Sequence, residues 1–576
     1  MPHVTIDGRV LEFEGQPRLL QFCLDHGIEL PHFCYHPAMS VPANCRQCLV
    51  DIGAPMRDRA TGEVRTDGEG NPVIRYFPKL QTSCSHVIAD GQVIHTARTS
   101  EKVERAQQDT MEFLLINHPL DCPICDQAGH CPLQIQAYKY GPEGSRFEFR
   151  KVHKPKRVRL GPRVVLDAER CINCTRCVRF TDEISRSHQL TIIERGVKNY
   201  PITPPGVEFD EPYSMNVIDV CPVGALTSVD FRFQARIWEM TRTPSIVTTH
   251  AKGSNCYLWV RDNLVLRITP RPNPEVNEYW LADEDRLCYR QFNEDRPAGP
   301  QVRNAAGTLE AVSWEQAISA AASVLEKAGA GAAFVGSARA TVEDNWLLIQ
   351  LAEQTGGQVV GFMEHIEAGH GDGWLRTDER APNSEGCRRL GMTPVDGTML
   401  RARLEDGTIT ALYVLEDDVI GLLSAADLQE VSVIVHHYHT TNRTLEVAAA
   451  ALPAAMSAET IGTYVNLDGY AQRVRPAKVI QGASRTLMMQ MGLSRADRHG
   501  TPFDRWYNET HYINCKPSWE LLPAVAEALG AKVPAGGPRR IMEQISQRCD
   551  AFRGVSYKAM GLEGMPLPAS IQLEAA

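Results

Sequence analysis

His118-Pro-Leu-Asp-Cys-Pro-Ile-Cys-Asp-Gln-Ala-Gly-His-Cys-Pro-Leu-Gln134 places one imidazole and three thiols, His118, Cys122, Cys125 and Cys131, within fourteen residues. Thiolate is a soft anionic donor and imidazole binds as the neutral base, so the set favours iron or zinc. Pro and Gly between the donors favour a looping backbone, which can converge four side chains on one point. Alone, the run suits a Cys3His zinc site as well as an iron–sulfur site. His130, beside Cys131, offers a competing imidazole. Cysteine groups on both sides make this stretch the middle of three metal-cluster sites in the sequence.

Upstream, residues 1–95 read as a small mixed domain. Val4, Ile6, Val10, Leu11 and Phe13 flank Asp7-Gly8, a hairpin signal. Pro17 opens a short helix with Leu19, Leu20 and Cys23 inside, and Gly27 suits its end. A loop with Cys34, Cys45 and Cys48 follows, then a strand at Leu49–Ile52, a polar Gly-rich excursion over 53–72, Cys84, and a last strand through Val93 and Ile94. This order resembles a plant-type [2Fe–2S] ferredoxin, with ten residues between the first two cysteines where the plant pattern has four. A zinc ribbon is the alternative. Residues 99–117 read as a helix with Val103, Ala106, Met111 and Leu114 on its inner face and Glu101 and Glu104 in its first turn.

Downstream, Cys171-x2-Cys174-x2-Cys177 opens a bacterial-ferredoxin motif and Cys221-Pro222 closes one. In a two-cluster ferredoxin the motif occurs twice, and the fourth cysteines are exchanged. Here Thr181 stands at the first copy's fourth position, and Glu211, Ser214 and Val217 at the second copy's first three. Those four losses together leave one complete [4Fe–4S] set: Cys171, Cys174, Cys177 and Cys221. Zinc knuckles present thiols as pairs, so this spacing suits them poorly.

The remaining chain bounds the function. It has 576 residues, room for several domains. Hydrophobic residues at 43% and charged ones at 23% describe an ordinary globular composition, and a net charge of -10 argues against nucleic-acid binding. No apolar run approaches a membrane span and no signal or transit peptide is visible, so a cytoplasmic chain is expected. Twelve of the 17 cysteines precede residue 222, mostly in tight groups, which in the cytosol means metal or redox chemistry rather than disulfides.

Residues 241–576 alternate helix and strand patterns: a capping box at Ser313-x2-Gln316, a buried strand over 333–336, a helix over 341–354, and buried strands over 412–415 and 431–435. Gly329-Ala-Gly331 precedes a strand and reads as a turn, not a dinucleotide loop.

The three ligand groups, with Thr82-Ser-Cys84 and Cys221-Pro-Val-Gly-Ala225, resemble the large iron–sulfur subunit of NADH:quinone oxidoreductase, respiratory complex I. The resemblance implies an α+β chain of four parts: a [2Fe–2S] ferredoxin-like β-grasp domain (1–95), a His/Cys3 cluster region (96–140), a 4Fe–4S ferredoxin-like domain (141–240) and a reduced α/β molybdopterin-oxidoreductase-like domain (241–576). It implies one [2Fe–2S] cluster on Cys34, Cys45, Cys48 and Cys84. It implies two [4Fe–4S] clusters, one on Cys171, Cys174, Cys177 and Cys221, the other on His118, Cys122, Cys125 and Cys131. Neither molybdopterin nor flavin is expected. Members of this last domain type often open with an extra four-cysteine cluster, but Val247, His250 and Ser254 stand at three of its positions, and Cys288 alone suggests the fourth. The family's role is electron relay within an oxidoreductase, with no catalysis by the chain alone. The implied partners are a flavin/NADH-binding subunit with its small 2Fe–2S companion, a ferredoxin-like 8Fe subunit and other peripheral-arm subunits. The implied location is the cytoplasmic face of the inner membrane, with membrane contact only through those partners. The N-terminal half also resembles parts of NAD-linked hydrogenases and formate dehydrogenases. A zinc-stabilised scaffold remains a rival of a different class.

Overall fold

Asp7 and Gly8 both adopt left-handed backbone, φ 49° and 84°, the conformation a two-residue hairpin turn needs. They join β1 (His3–Ile6) to β2 (Arg9–Glu12). A computed structural model describes residues 1–58, 61–490 and 511–568, arranged as two units, Met1–Trp238 and Glu239–Ala576.

In the first unit, α1 (Leu19–Asp25) follows the hairpin and ends with Gly27 at φ 70°. Then come β3 (Leu49–Pro55), β4 (Ile74–Tyr76), β5 (Gln81–Thr82) and β6 (Gln92–His95). The sheet order is β2-β1-β6-β3-β4, with β5 on β3, and β1 pairs β6 in parallel. Val4, Ile6, Leu19, Leu20, Cys23, Val50, Ile52 and Ile94 form one buried core. Cys23 is thus a small core hydrophobe. Val10 faces outward, because only alternate residues of this edge hairpin reach the core. The polar excursion is exposed but built as a ladder, with bridges Arg57–Val64 and Thr66–Pro72, while residues 59 and 60 lie outside the described residues.

Helix α2 (Glu101–Leu115) buries Val103, Gln107 and Met111. Ala106 and Leu114, expected inside, are half-buried. Gln107 takes the inner place because its amide Nε2 donates to Leu49 O (3.0 Å), while its own carbonyl accepts from Gln47 Nε2 (3.2 Å). This ties α2 to the segment after Cys48. A short turn at Cys122–Ile124 leads to α3 (Pro132–Tyr140). Beyond it, strands Val158–Arg159, Val164–Leu166 and Leu226–Ser228 form one antiparallel sheet. Two short helices lie between its strands in sequence: Arg176–Arg179 contains Cys177, and Asn216–Val220 ends at Cys221.

The second unit opens with a three-stranded antiparallel sheet, Thr241–Ile246, Asn255–Arg261 and Leu264–Pro270. A seven-stranded sheet follows. Its strands Ala448–Pro453, Ser432–His437, Ala411–Val414, Ala332–Ser337 and Gln358–Met363 run parallel in that spatial order. Both expected helices are present with reciprocal capping boxes, Ser313 with Gln316 before Trp314–Ala328 and Thr341 with Asp344 before Val342–Thr355. Parallel strands require crossovers, and these helices cover the sheet in a core containing Phe334, Tyr413, Ile434 and Leu351. Among the described residues, no helix is long and apolar enough to cross a membrane.

Candidate metal centres

The loop 34–48 curls because Ala43 and Arg46 take positive φ, 52° and 58°. That curl buries Cys34, Cys45 and Cys48, and the loop before β6 adds buried Cys84. Cys34 accepts hydrogen bonds from the thiols of Cys45 and Cys84 and from the N–H groups of Asn44 and Cys45, which push it toward thiolate. Cys48 is lowered in the same way, chiefly by the Cys84 thiol. Four sulfurs therefore meet in one place, with backbone donors aimed at them.

Asn173 and Thr175, at φ 53° and 64°, curl the next loop. Cys171, Cys174, Cys177 and Cys221 line one cavity together with Leu166, Ile172, Ile192 and Val223. Backbone N–H groups point at these sulfurs: Asn173 N at Cys171 Sγ (3.4 Å), Arg176 at Cys174, Val178 at Cys177, and Val223 at Cys221. Burial nonetheless pushes Cys171, Cys174 and Cys221 up to about 11. Thiolates in an apolar cavity need a positive partner there, and metal ions supply one.

In the third group Cys125 and Cys131 are buried and Cys122 is exposed. Cys131 is pushed up to about 11 by burial. Cys131 Sγ lies 3.8 Å from the accepting Pro222 O, and Arg236 Nη1 donates to Cys125 O (2.8 Å). His118 follows α2, whose end is held by Lys151 Nζ on Leu115 O (3.1 Å) and Ile116 O (2.8 Å). Burial pushes His118 down to about 4, with Arg170 and Lys151 adding repulsion, so the imidazole is the neutral base a metal requires. Its Nδ1 is buried without a hydrogen-bond partner.

The groups adjoin. The segment Cys221–Ala225 leaves one and touches the next at Cys131 and Cys125. Toward the first group, Arg179 Nη2 donates to Cys34 O and Arg176 Nη2 to Tyr35 O, while Arg176 Nη1 reaches Val220 O (3.2 Å). Asn44 Nδ2 donates to Asn173 O (3.3 Å). These arginines escaped the sequence reading. For Arg176 the available signal was a cation inside the Cys174-x2-Cys177 spacing, which gives no hint of its orientation.

In the second unit, His250 and Ser254 are fully buried and Val247 nearly so. His250 Nε2 lies 2.8 Å from Asp285 Oδ1, and Cys288 Sγ donates to Asp285 O (3.0 Å). Among the described residues, His250, Glu284 and Asp285 are the one trio of His, Cys, Asp or Glu with donor atoms all within 4.8 Å of one another. Lys252 N donates to His250 Nδ1 (3.3 Å), which puts the imidazole proton on Nε2 and makes Nε2 the donor to Asp285.

Four family models match in sequence order. They are a 2Fe-2S iron-sulfur cluster binding domain (2–99), the NADH-ubiquinone oxidoreductase-G iron-sulfur binding region (107–146), the ferredoxin-like domain of NADH-quinone oxidoreductase subunit 3 (161–227) and the NDSU1/NuoG-like 4Fe-4S domain of NADH-ubiquinone oxidoreductase (240–290). The G subunit of NADH-quinone oxidoreductase from Rickettsia bellii is 38% identical over 322 residues, 56% of this chain and 44% of that protein. The protein of the same name from Streptomyces coelicolor is 37% identical over 350 residues, 61% of this chain and 39% of its own length. The chain thus spans less than half the length of these relatives. A solved structure, described as NAD+-reducing [NiFe]-hydrogenase in the H2-reduced state, is 25% identical, covering 41% of this chain and 91% of its own at a TM-score of 0.32. Over these matched residues the chain is similar to NuoG-type subunits of NADH-quinone oxidoreductase.

Proposed function

We propose that the chain is an electron relay of an NADH:quinone oxidoreductase. It would take electrons from a flavin-bearing NADH-oxidising subunit and pass them on toward a ferredoxin-like 8Fe subunit. The observation that carries this reading is the contact of the Cys171/Cys174/Cys177/Cys221 group with both other groups, through Arg176 and Arg179 on one side and Cys221–Ala225 on the other. The order of transfer is then Cys34/Cys45/Cys48/Cys84, next the Cys171 group, next His118/Cys122/Cys125/Cys131, so the group in the middle of the sequence is last in the path.

Iron–sulfur clusters bound there supply one-electron redox chemistry, one [2Fe–2S] and two [4Fe–4S]. The chain supplies the anionic ligands, the N–H donors aimed at sulfur and, at the first two sites, buried walls that limit water, all of which tune potential. His118, a neutral donor in place of a thiolate, should raise the potential of its site.

The second unit is proposed as a reduced molybdopterin-oxidoreductase-like domain with a structural and interfacial role. Glu416, Asp417 and Asp418 line a cavity of about 230 Å³. They follow the parallel strand Ala411–Val414, where this architecture places ligands. Arg339, His365 and His439 share that lining, and three acids against one arginine disfavour a phosphate-bearing pterin. The packed His250–Asp285 pair likewise supports the lack of a fourth cluster.

Metal and sulfide analysis of the anaerobically purified chain tests all of this. About ten irons per chain, without molybdenum, are expected. Near fourteen irons would restore a fourth cluster. One molybdenum per chain would favour a formate-dehydrogenase-like enzyme, and stoichiometric zinc with little iron would favour the scaffold.

A further inference from the structure

Arg176 lies between Cys174 and Cys177 in sequence, and its guanidinium is directed away from both toward the first cysteine loop. It donates to neutral carbonyls, Tyr35 O and Val220 O, and its Nε is buried with no hydrogen-bond partner. Among the described residues, no carboxylate lies within 4.0 Å of it. The contrast is Arg170, which is ion-paired to Asp121 (2.9 Å) and Asp167 (3.3 Å). Arg176 is half-buried with its Nε enclosed; arginine stays charged in proteins, and a partly desolvated cation without an anionic partner is costly. The sulfurs around Arg176 come from two sites, Cys174 and Cys221 on one side and Cys34 on the other, and Arg179 is a second cation beside it.

We propose that Arg176 is an electrostatic positioning residue that sits between the first two redox sites and raises the reduction potential of both, its charge being balanced by their thiolate-ligated centres. This rests on the relay reading above. Each site gains one electron, hence one negative charge, on reduction. A fixed positive charge beside it stabilises the reduced form, and no proton need move. A unit charge within roughly 10 Å, in a medium of effective dielectric near 20, changes a one-electron equilibrium by about tenfold. Tenfold corresponds to about 59 mV. The His118 group has Arg170, Lys151, Asp121 and Lys154 as its charged neighbours and should not register the change.

The test is an EPR-monitored redox titration of the full chain, purified anaerobically, as wild type, Arg176→Gln and Arg176→Lys. In Arg176→Gln the [2Fe–2S] potential and that of the Cys171 group should both fall by about tenfold in equilibrium constant, with the His118 group unchanged. Arg176→Lys keeps the charge but loses the two-carbonyl fork, so its potentials should return toward wild type. Three potentials unchanged in Arg176→Gln with intact spectra would overturn the proposal. Lys shifting all sites as Gln does would also overturn it, and so would loss of iron from both variants, since each outcome makes Arg176 a packing residue only. A wild-type chain with zinc and no iron would instead defeat the relay reading itself.

Discussion

Gly224 packs directly against Cys125: a Cβ added at Gly224 would overlap Cys125 Sγ and lie 3.1 Å from Gln127 Cβ. Gly224 is not among the glycines with positive φ, so close approach, not backbone freedom, requires it. The contact joins the loop after Cys221 to the His118–Cys131 run.

Gly224→Ala should therefore displace Cys125 and empty the His118 site selectively. Iron content should fall from about ten to about six per chain, with the signals of the other two clusters retained. Retention of all three sets of signals at full iron would show that the loop yields, and that the contact is not needed for assembly.

Cys23, Cys256, Cys387 and Cys515 are fully buried, and Cys288 and Cys549 half-buried. None belongs to a complete donor set. Changing each to Ala should leave iron content and cluster spectra intact, with a packing cost of about 1–3 kcal/mol at the buried positions. Loss of one cluster in any of the six, measured by iron assay, would mean a misassigned ligand.

NADH delivers two electrons as hydride, while iron–sulfur sites accept one at a time, so a flavin must intervene. The strand-Gly-x-Gly-x-x-Gly-helix unit for a dinucleotide is missing from the sequence. The purified chain should bleach with dithionite and stay oxidised with NADH until a flavoprotein partner is added. Bleaching by NADH in the flavin-free chain would contradict the relay assignment.

His436 is fully buried between Tyr413 OH (2.7 Å from Nε2) and Ser518 Oγ (3.0 Å from Nδ1), and burial pushes it down to about 3. Its folded value lies below the unfolded one, so between pH 3 and 6.5 the unfolded chain binds more protons. The neutral imidazole's contribution is intact above pH 6.5 and is lost as pH falls. Relative to wild type, His436→Gln should flatten the acid limb of stability by about 1.4 kcal/mol per pH unit between roughly pH 4 and 6. Parallel pH profiles in denaturant titrations would show that His436 does not titrate on unfolding.

Much of this was legible because it is local. The turn at Asp7-Gly8, the capping box at Ser313, and the donor spacings at Cys171, Cys174 and Cys177 all lie within a few residues, where chain geometry limits the options. The inner face of α2 was less legible. Gln107 displaced Ala106 there because its side-chain amide donates to Leu49 O, a partner some sixty residues away that helical periodicity does not register.

The sequence by itself determined the twelve candidate donors, the two ferredoxin-like patterns and the alternating α/β character of residues 241–576. Tertiary structure alone decided which sites touch. His118–Cys131 stands in the middle of the sequence, yet it is the Cys171 group that contacts both others, through Arg176, Arg179 and the Cys221–Ala225 segment. It also decided that half-buried Arg176, its Nε enclosed, has no carboxylate partner while Arg170 is paired, although both stand within two residues of a candidate ligand. The physical reason is range. Ligand spacing and turns are fixed by bonds and dihedrals within one loop. Site adjacency and the balance of buried charge come from packing between segments up to about 140 residues apart, and that packing leaves no periodic mark in the sequence.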